Sequence, residues 1–235
     1  MTDLFAVTEA TWPAAAFHIA GGFRVREGAG GGQRVSAATA ETGWSEADID
    51  AAEGAQRALG QSPLFMIRPA DGPLDTALAR RGYAIKDPVN LFDAPVGALL
   101  GDAPRLSAFA IWPPLAIMRD IWAEGGIGPE RVAVMGRAKG PKTAILGRIN
   151  DRASGVAFVA LHGETAMLHA LHVVPGQRRQ GSAVNMMRMA AKWAQDHGAK
   201  RFSVLVTKAN QGANALYSSL GMQVVGEYHY RSYKP

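Results

Sequence analysis

The chain has 235 residues, 48% of them hydrophobic and 19% charged, with no cysteine and a formal net charge of +5. This is the composition of a folded protein rather than a disordered one. The absence of cysteine excludes disulfides, thiolate metal sites and a cysteine nucleophile. No apolar run approaches the roughly 20 residues of a membrane span. Residues 1–10 contain Asp3 and Glu9 and lack the basic start and apolar core of a signal peptide, so a cytoplasmic location is expected. The length suits two domains of about 100 residues or one large one.

In chain order, residues 23–26 and 33–38 read as strands joined by a glycine-rich loop at 27–32. A helix at 47–59 follows, capped by Ser45, then a strand at 64–67, a helix at 74–80 ended by Gly82, and a strand at 83–86. Residues 93–104, with Pro95, Gly97, Gly101 and Pro104, read as a linker. Beyond it, strands are expected at 131–135, 143–149, 155–161 and 167–174. A helix at 182–196 carries Val184, Met187, Ala191 and Ala194 on one face. A strand at 202–207, a helix at 212–220 ended by Gly221, and one or two strands at 222–230 complete the chain. The run Leu78 to Tyr83 echoes Leu216 to Met222: a helix end, a glycine, a bulky apolar residue and a strand, read as a weak internal repeat.

Two glycine-rich stretches are not phosphate loops. Residues 28–32 have strands expected on both sides and no following helix, so they read as a hairpin loop. Residues 136–143 contain Gly140-Pro141-Lys142-Thr143, but the spacing is wrong, Pro141 removes an N–H, and a hairpin turn fits better.

The chemistry concentrates in Val174-Pro175-Gly176-Gln177-Arg178-Arg179-Gln180-Gly181-Ser182-Ala183. An apolar strand runs into it and an amphipathic helix leaves it. Free N–H groups of a first helical turn, aided by the helix dipole, attract an anion. Gly181 lets a ligand approach the backbone, and Arg178 and Arg179 suit phosphate oxygens. Between residues 176 and 210, Arg178, Arg179, Arg188, Lys192, Lys200, Arg201 and Lys208 face the single acid Asp196. A nucleic-acid surface is the competing explanation, without an aromatic-interleaved basic stripe or a helix-turn-helix pattern to accompany it. A solvated helix face is the plainer account of Arg188, Lys192 and Lys200.

Arg178-x-x-Gly181-x-Ala183, directly after Val174-Pro175, resembles the acyl-CoA-binding motif of the GCN5-related N-acetyltransferases. Asn210-Gln211-Gly212-Ala213-Asn214-Ala215-Leu216-Tyr217, then Leu220-Gly221-Met222, resembles that family's later N-x-x-A-x-x-L-Y-x-x-x-G-F segment, with Met222 in place of Phe. The resemblance covers residues 130–235. It implies an α/β fold with a mixed central sheet flanked by helices, in which the fourth and fifth strands splay and the pantetheine arm lies between them. With the repeat, it implies two tandem halves: a degenerate N-terminal domain at 1–97, a linker at 98–106 and a catalytic domain at 107–235. The first half carries no R-x-x-G-x-A and is not expected to bind CoA.

The same resemblance implies acetyl-CoA, or another short acyl-CoA, as donor. Backbone groups of Arg179, Gln180, Gly181, Ser182 and Ala183 would hold its pyrophosphate beside Arg178. Val173 and Val174 would bond the pantetheine amides, with Asn210 as a side-chain contact and Ala213 in the same segment. Tyr217 sits at the family's usual general-acid position, and a phenol is a proton donor at neutral pH; packing under the helix is the alternative.

His169 and His172 are the candidate bases. Three apart on a strand, they are expected to face opposite sides of the sheet, which excludes a shared metal ion; no metal is expected. A structural role for each, with a water chain as base, stays open. Trp112 and Trp122, within residues 108–128, could line an acceptor pocket or pack in the core. The expected activity is transfer to a primary amine of a small molecule or peptide by direct attack in a ternary complex. A non-catalytic acyl-CoA sensor or scaffold is the alternative. No nucleic-acid or membrane partner is expected, and a homodimer stays open.

Overall fold

A computed structural model describes residues 3–233. Asp3 accepts hydrogen bonds from Phe5 and Ala6 and so starts α1 (Leu4–Thr11). There follow β1 (Ala16–Ala20), β2 (Phe23–Glu27), β3 (Thr39–Ala40), α2 (Glu46–Ala58), β4 (Leu64–Ile67), α3 (Gly72–Arg80), β5 (Tyr83–Pro95) and β6 (Ala108–Ile111). Then come α4 (Ala116–Glu124), α5 (Pro129–Arg137), β7 (Lys142–Ile149), β8 (Arg152–His162) and β9 (Thr165–Val173). The chain closes with α6 (Ser182–Asp196), β10 (Arg201–Thr207), α7 (Gln211–Ser219) and β11 (Gln223–Tyr233). The result is mixed α/β, as expected.

The backbone clusters into two units that are discontinuous in sequence. One contains residues up to 13, 91–206 and 211–225; the other contains 14–90, 207–210 and 226 onward. The cut expected at 98–106 does not coincide with this division. Residues 91–97 belong with the motif-bearing unit, and the last strand gives its second half to the other.

In the second unit, β1, β2 and β3 form an antiparallel sheet, and β4 pairs antiparallel with β11, Leu64 opposite Ser232. Phe23, Val25, Ile49, Phe65, Leu74, Leu78 and Tyr83 close its core. Phe65 meets Phe23 and Tyr83 edge-on, each at 5.6 Å. Ser45 caps α2 as expected, through a capping box in which its own N–H donates to Asp48 at 2.7 Å. The strand expected at 33–38 is instead a 3₁₀ turn at Gln33–Val35. The glycine-rich loop before it is therefore not a hairpin. Its Gly28 N–H is taken by the Gln61 side chain at 2.6 Å.

The two helix ends that echo one another in the sequence close with the same hydrogen bonds. At the end of α3, Arg81 N–H donates to Ala77 and Leu78 and Gly82 N–H to Ala79; at the end of α7, Leu220 donates to Leu216 and Tyr217 and Gly221 to Ser218. Both glycines are left-handed, with φ of 83° and 81°.

In the first unit, β7, β8 and β9 run antiparallel, β6 pairs with β7, and β10 pairs parallel with β9. β5 lies beside β10, where Asp93 accepts from Ser203 at 2.7 Å and pairs with Arg201. The strand expected at 131–135 is α5: Pro129 after Gly128 starts a helix, and only Val134 and Met135 turn inward, so the alternation of valines is incidental. Lys142 donates to Gly136 and Ala138, so the second glycine-rich stretch is a helix end, not a hairpin turn.

α6 occupies one sheet face, packing Met186, Met187, Ala190, Ala191 and Ala194 against Ala157, Val159 and Leu168. α1 takes the other, where Thr8 reaches Met167 and Thr11 reaches His169. α6 lies close to its face of the sheet because β8 offers a glycine there. A Cβ on Gly155 would stand 2.6 Å from the His172 carbonyl oxygen and 2.8 Å from Met186 Cε. Gly155→Ala is therefore expected to lower stability by about 1–3 kcal/mol, read as the midpoint of a thermal or urea melt.

Candidate active site

β9 is the strand on which the site is built. Gly155 faces Val173, Val156 faces His172 and Phe158 faces His169, so Ala157 opposes an extra residue in β9. Ala170 carries the irregularity, at φ 52°. The bulge reverses the side-chain alternation beyond it. His169 and His172 therefore lie on the same face, not on opposite faces as plain strand spacing requires. Leu168 and Leu171, also three apart, both pack toward the α6 core.

The two histidines differ. His169 is 4% exposed, shares a 2.9 Å hydrogen bond with Thr11 Oγ1, and lies against the Trp12 ring with centroids 4.9 Å apart. It is a packed, satisfied side chain. His172 is half-buried, and its Nε2 is enclosed with no hydrogen-bond partner. Burial first, and the Arg178 charge second, push its pKa below the ordinary histidine value, with Glu124 opposing them. The ring abuts the end of α4 so closely that a Cβ on Gly125 would stand 2.6 Å from Nδ1.

Beyond β9 the chain makes a 3₁₀ turn at Pro175–Gln177 and enters α6 at Ser182, the bounds expected from the sequence. Arg179 and Gly181 are left-handed, at φ 62° and 83°. No neighbour crowds Gly181, so its backbone angle is what favours glycine there. The first helical bond, Asn185 N–H to Gly181, leaves the N–H groups of Ser182, Ala183 and Val184 without helical acceptors, and no side chain caps them. Ser182 Oγ meets Ser154 Oγ at 2.7 Å and so pins the helix start to β8. No acidic residue stands in the first turn.

The charges around this start are selective. Lys192 pairs with Asp196, Lys200 with Glu164, Arg201 with Asp93 and Lys208 with Glu227. Arg188 donates to the Asp102 carbonyl. Arg178 donates to the Val173 carbonyl at 3.2 Å and, like Arg179 and Gln180, is exposed. The basic stripe read from the sequence is thus largely neutralised. What remains is an arginine pair beside an uncapped helix start, a donor set that fits a pyrophosphate.

On the other flank, parallel pairing of β9 with β10 ends at Leu168 opposite Val204, although both strands continue. Val173 and the residues before it have no β10 partner past that point. Asn210 is exposed in the 207–210 stretch, just ahead of α7. Ala213 packs against the core, and Tyr217 lies within it at 4% exposure, 5.6 Å from the Phe92 ring. Burial holds the Tyr217 phenol protonated far above its ordinary value. Trp112 is 37% exposed beneath Lys142, which stands 5.2 Å from its ring. Trp122 is fully buried and donates its indole N–H to the Ala170 carbonyl at 2.9 Å. That contact was not read from the sequence, because it depends on a bulge with no residue signature. Among the described residues no cluster of three or more metal-ligating side chains occurs, and no helix is long and apolar enough to cross a membrane.

Comparison with known proteins agrees with this geometry. Residues 118–222 match the model of the acetyltransferase (GNAT) family. A 59-residue segment is 34% identical to an uncharacterized N-acetyltransferase, YobR, of Bacillus subtilis, covering 25% of this chain and 24% of that protein's length. The fold is similar to that of a GCN5-related N-acetyltransferase from Kribbella flavida, with a TM-score of 0.71 at 17% identity over 98% of this chain and 93% of that one. It is also similar to a tandem GNAT protein from the clavulanic acid biosynthesis pathway, with a TM-score of 0.64 at 11% identity over 98% and 87%. The bulged β9 and the uncapped α6 start both lie within residues 118–222, the segment that is similar to the acetyltransferase (GNAT) family.

Proposed function

We propose that the chain transfers an acetyl group from acetyl-CoA to a primary amine of a small molecule or peptide, both held together in one complex. The observation that carries this reading is the uncapped start of α6, flanked by Arg178 and Arg179, at the end of a strand that has just parted from its parallel neighbour. When bound, acetyl-CoA supplies an activated acyl carbonyl. The N–H groups of Ser182 and Ala183, with Arg179 to Gly181, bind its pyrophosphate, and Arg178 adds charge. The edge of β9 after Leu168, which has no β10 partner, takes the pantetheine arm up to Val173; Val174 is not assigned to it, because its N–H donates to the Ser154 carbonyl.

An amine must be neutral to attack. We assign His172 to take its proton: the ring is half-buried, and burial and the Arg178 charge keep it neutral at physiological pH. His169, committed to Thr11, has no such role. Tyr217 is assigned as the acid that returns a proton to the departing thiolate on its place in the N-x-x-A-x-x-L-Y motif alone; its burial against Phe92 makes the phenol a weaker acid than usual. Four of the basic residues between 176 and 210 pair with acids, which supports a single small anion over nucleic acid. The similar ends of α3 and α7 support a tandem origin, in which the first half lacks the phosphate-binding turn.

Calorimetry with acetyl-CoA tests the donor site. Wild type is expected to bind, and Gly181→Glu to weaken binding at least about tenfold by placing a carboxylate at the helix start. Turnover is then measured across a panel of primary amines, amino acids and peptides. His172→Gln is expected to lower kcat by about 10²–10⁴-fold. In wild type kcat/KM should rise with pH through the His172 pKa, below about pH 6.5, and this limb should vanish in the variant. Tyr217→Phe should lower kcat while leaving acetyl-CoA affinity within about twofold. Acetyl-CoA binding with no turnover across the panel would replace this reading by that of an acyl-CoA sensor.

A further inference from the structure

We propose that Trp122 is a positioning residue for this site: its indole N–H holds the bulged peptide after Ala170, and through it both His172 and the open edge of β9. The proposal rests on the acetyl-transfer reading for its function and on the bulge geometry for its structure.

Ala170 has no opposite number in β8 and adopts a left-handed backbone, which an L-residue with a Cβ disfavours. Its carbonyl accepts the Trp122 N–H at 2.9 Å. Trp122 is fully buried, so its donor has no access to water. Each group thus supplies the other's partner. The same helix end continues to His172. Glu124 acts on the imidazole from α4, Arg178 acts on it from the turn after β9, and Gly125 leaves room for the ring. Without the bulge, plain strand alternation would place His172 on the α6 face. Trp122 therefore determines which face His172 occupies while standing one helical turn back from it.

The experiment uses the full chain. In Trp122→Phe, the His172 Cε1–H resonance is expected to titrate nearer the ordinary histidine value. Amides 170–172 are expected to exchange faster and acetyl-CoA to bind more weakly, each by about tenfold, the scale of one hydrogen bond. Ala170→Gly in that background is expected to restore both, because glycine adopts positive φ without the indole's support. Replacing Trp122 by 3-benzothienylalanine keeps the volume and removes only the donor, and should reproduce the effect even if Trp122→Phe does not fold. An unchanged His172 titration and exchange rate in the isosteric variant, or no rescue by Ala170→Gly, overturns the proposal. If the unaltered chain does not bind acetyl-CoA, the acetyl-transfer reading fails. The titration and exchange measurements then still decide whether Trp122 holds the bulge.

Discussion

One extra residue in β9, opposite Ala157, determines which side chains share a face of the motif-bearing sheet. A left-handed alanine costs about 1–2 kcal/mol relative to ordinary strand backbone, so such a bulge persists only where surrounding contacts hold it. Here the contact is the buried Trp122 indole on the Ala170 carbonyl. The consequences run outward from that point. His172 joins His169 on the α1 and α4 face, and Leu171 joins Leu168 against α6. The strand end is then free to part from β10.

The start of α6 depends on a different balance. A helix start attracts phosphate only if nothing else satisfies its N–H groups and no carboxylate competes. Both conditions hold at Ser182, where the neighbouring residue is a left-handed glycine without a side chain to cap the turn. Elsewhere in the second half, lysines and arginines meet acids at Asp196, Glu164, Asp93 and Glu227. The formal positive charge of the region therefore overstates its field. Arg178 and Arg179 are exposed residues of the turn itself. Met186 of α6 packs over Gly147 and Gly155 and so seats the helix close to the sheet.

Much of this was legible in the residues. The bounds of α6, the caps at Ser45, Gly82 and Gly221, and the echo between Leu78–Tyr83 and Leu216–Met222 all follow from local chemistry: capping, helical spacing and glycine at positive φ. Other stretches misled for equally local reasons. Residues 131–135 alternate like a strand, yet Pro129 starts a helix, and tertiary burial of Val134 and Met135 outweighs β propensity. Residues 33–38 suit a strand, but the chain turns at Gln33. The parity of His169 and His172 failed because spacing arguments assume an uninterrupted ladder.

The sequence by itself determined the two motifs and the bounds of α6, because these rest on residue types at fixed short spacings. Only the tertiary structure decided that His172 rather than His169 has an unpartnered ring nitrogen, that Trp122 is tied to the backbone of β9, and that β5 and β11 each divide between two units. The physical reason is the same in each case. A bulge, a strand exchange and a buried hydrogen bond are set by partners distant in the chain, and no local pattern of residues encodes which partner arrives.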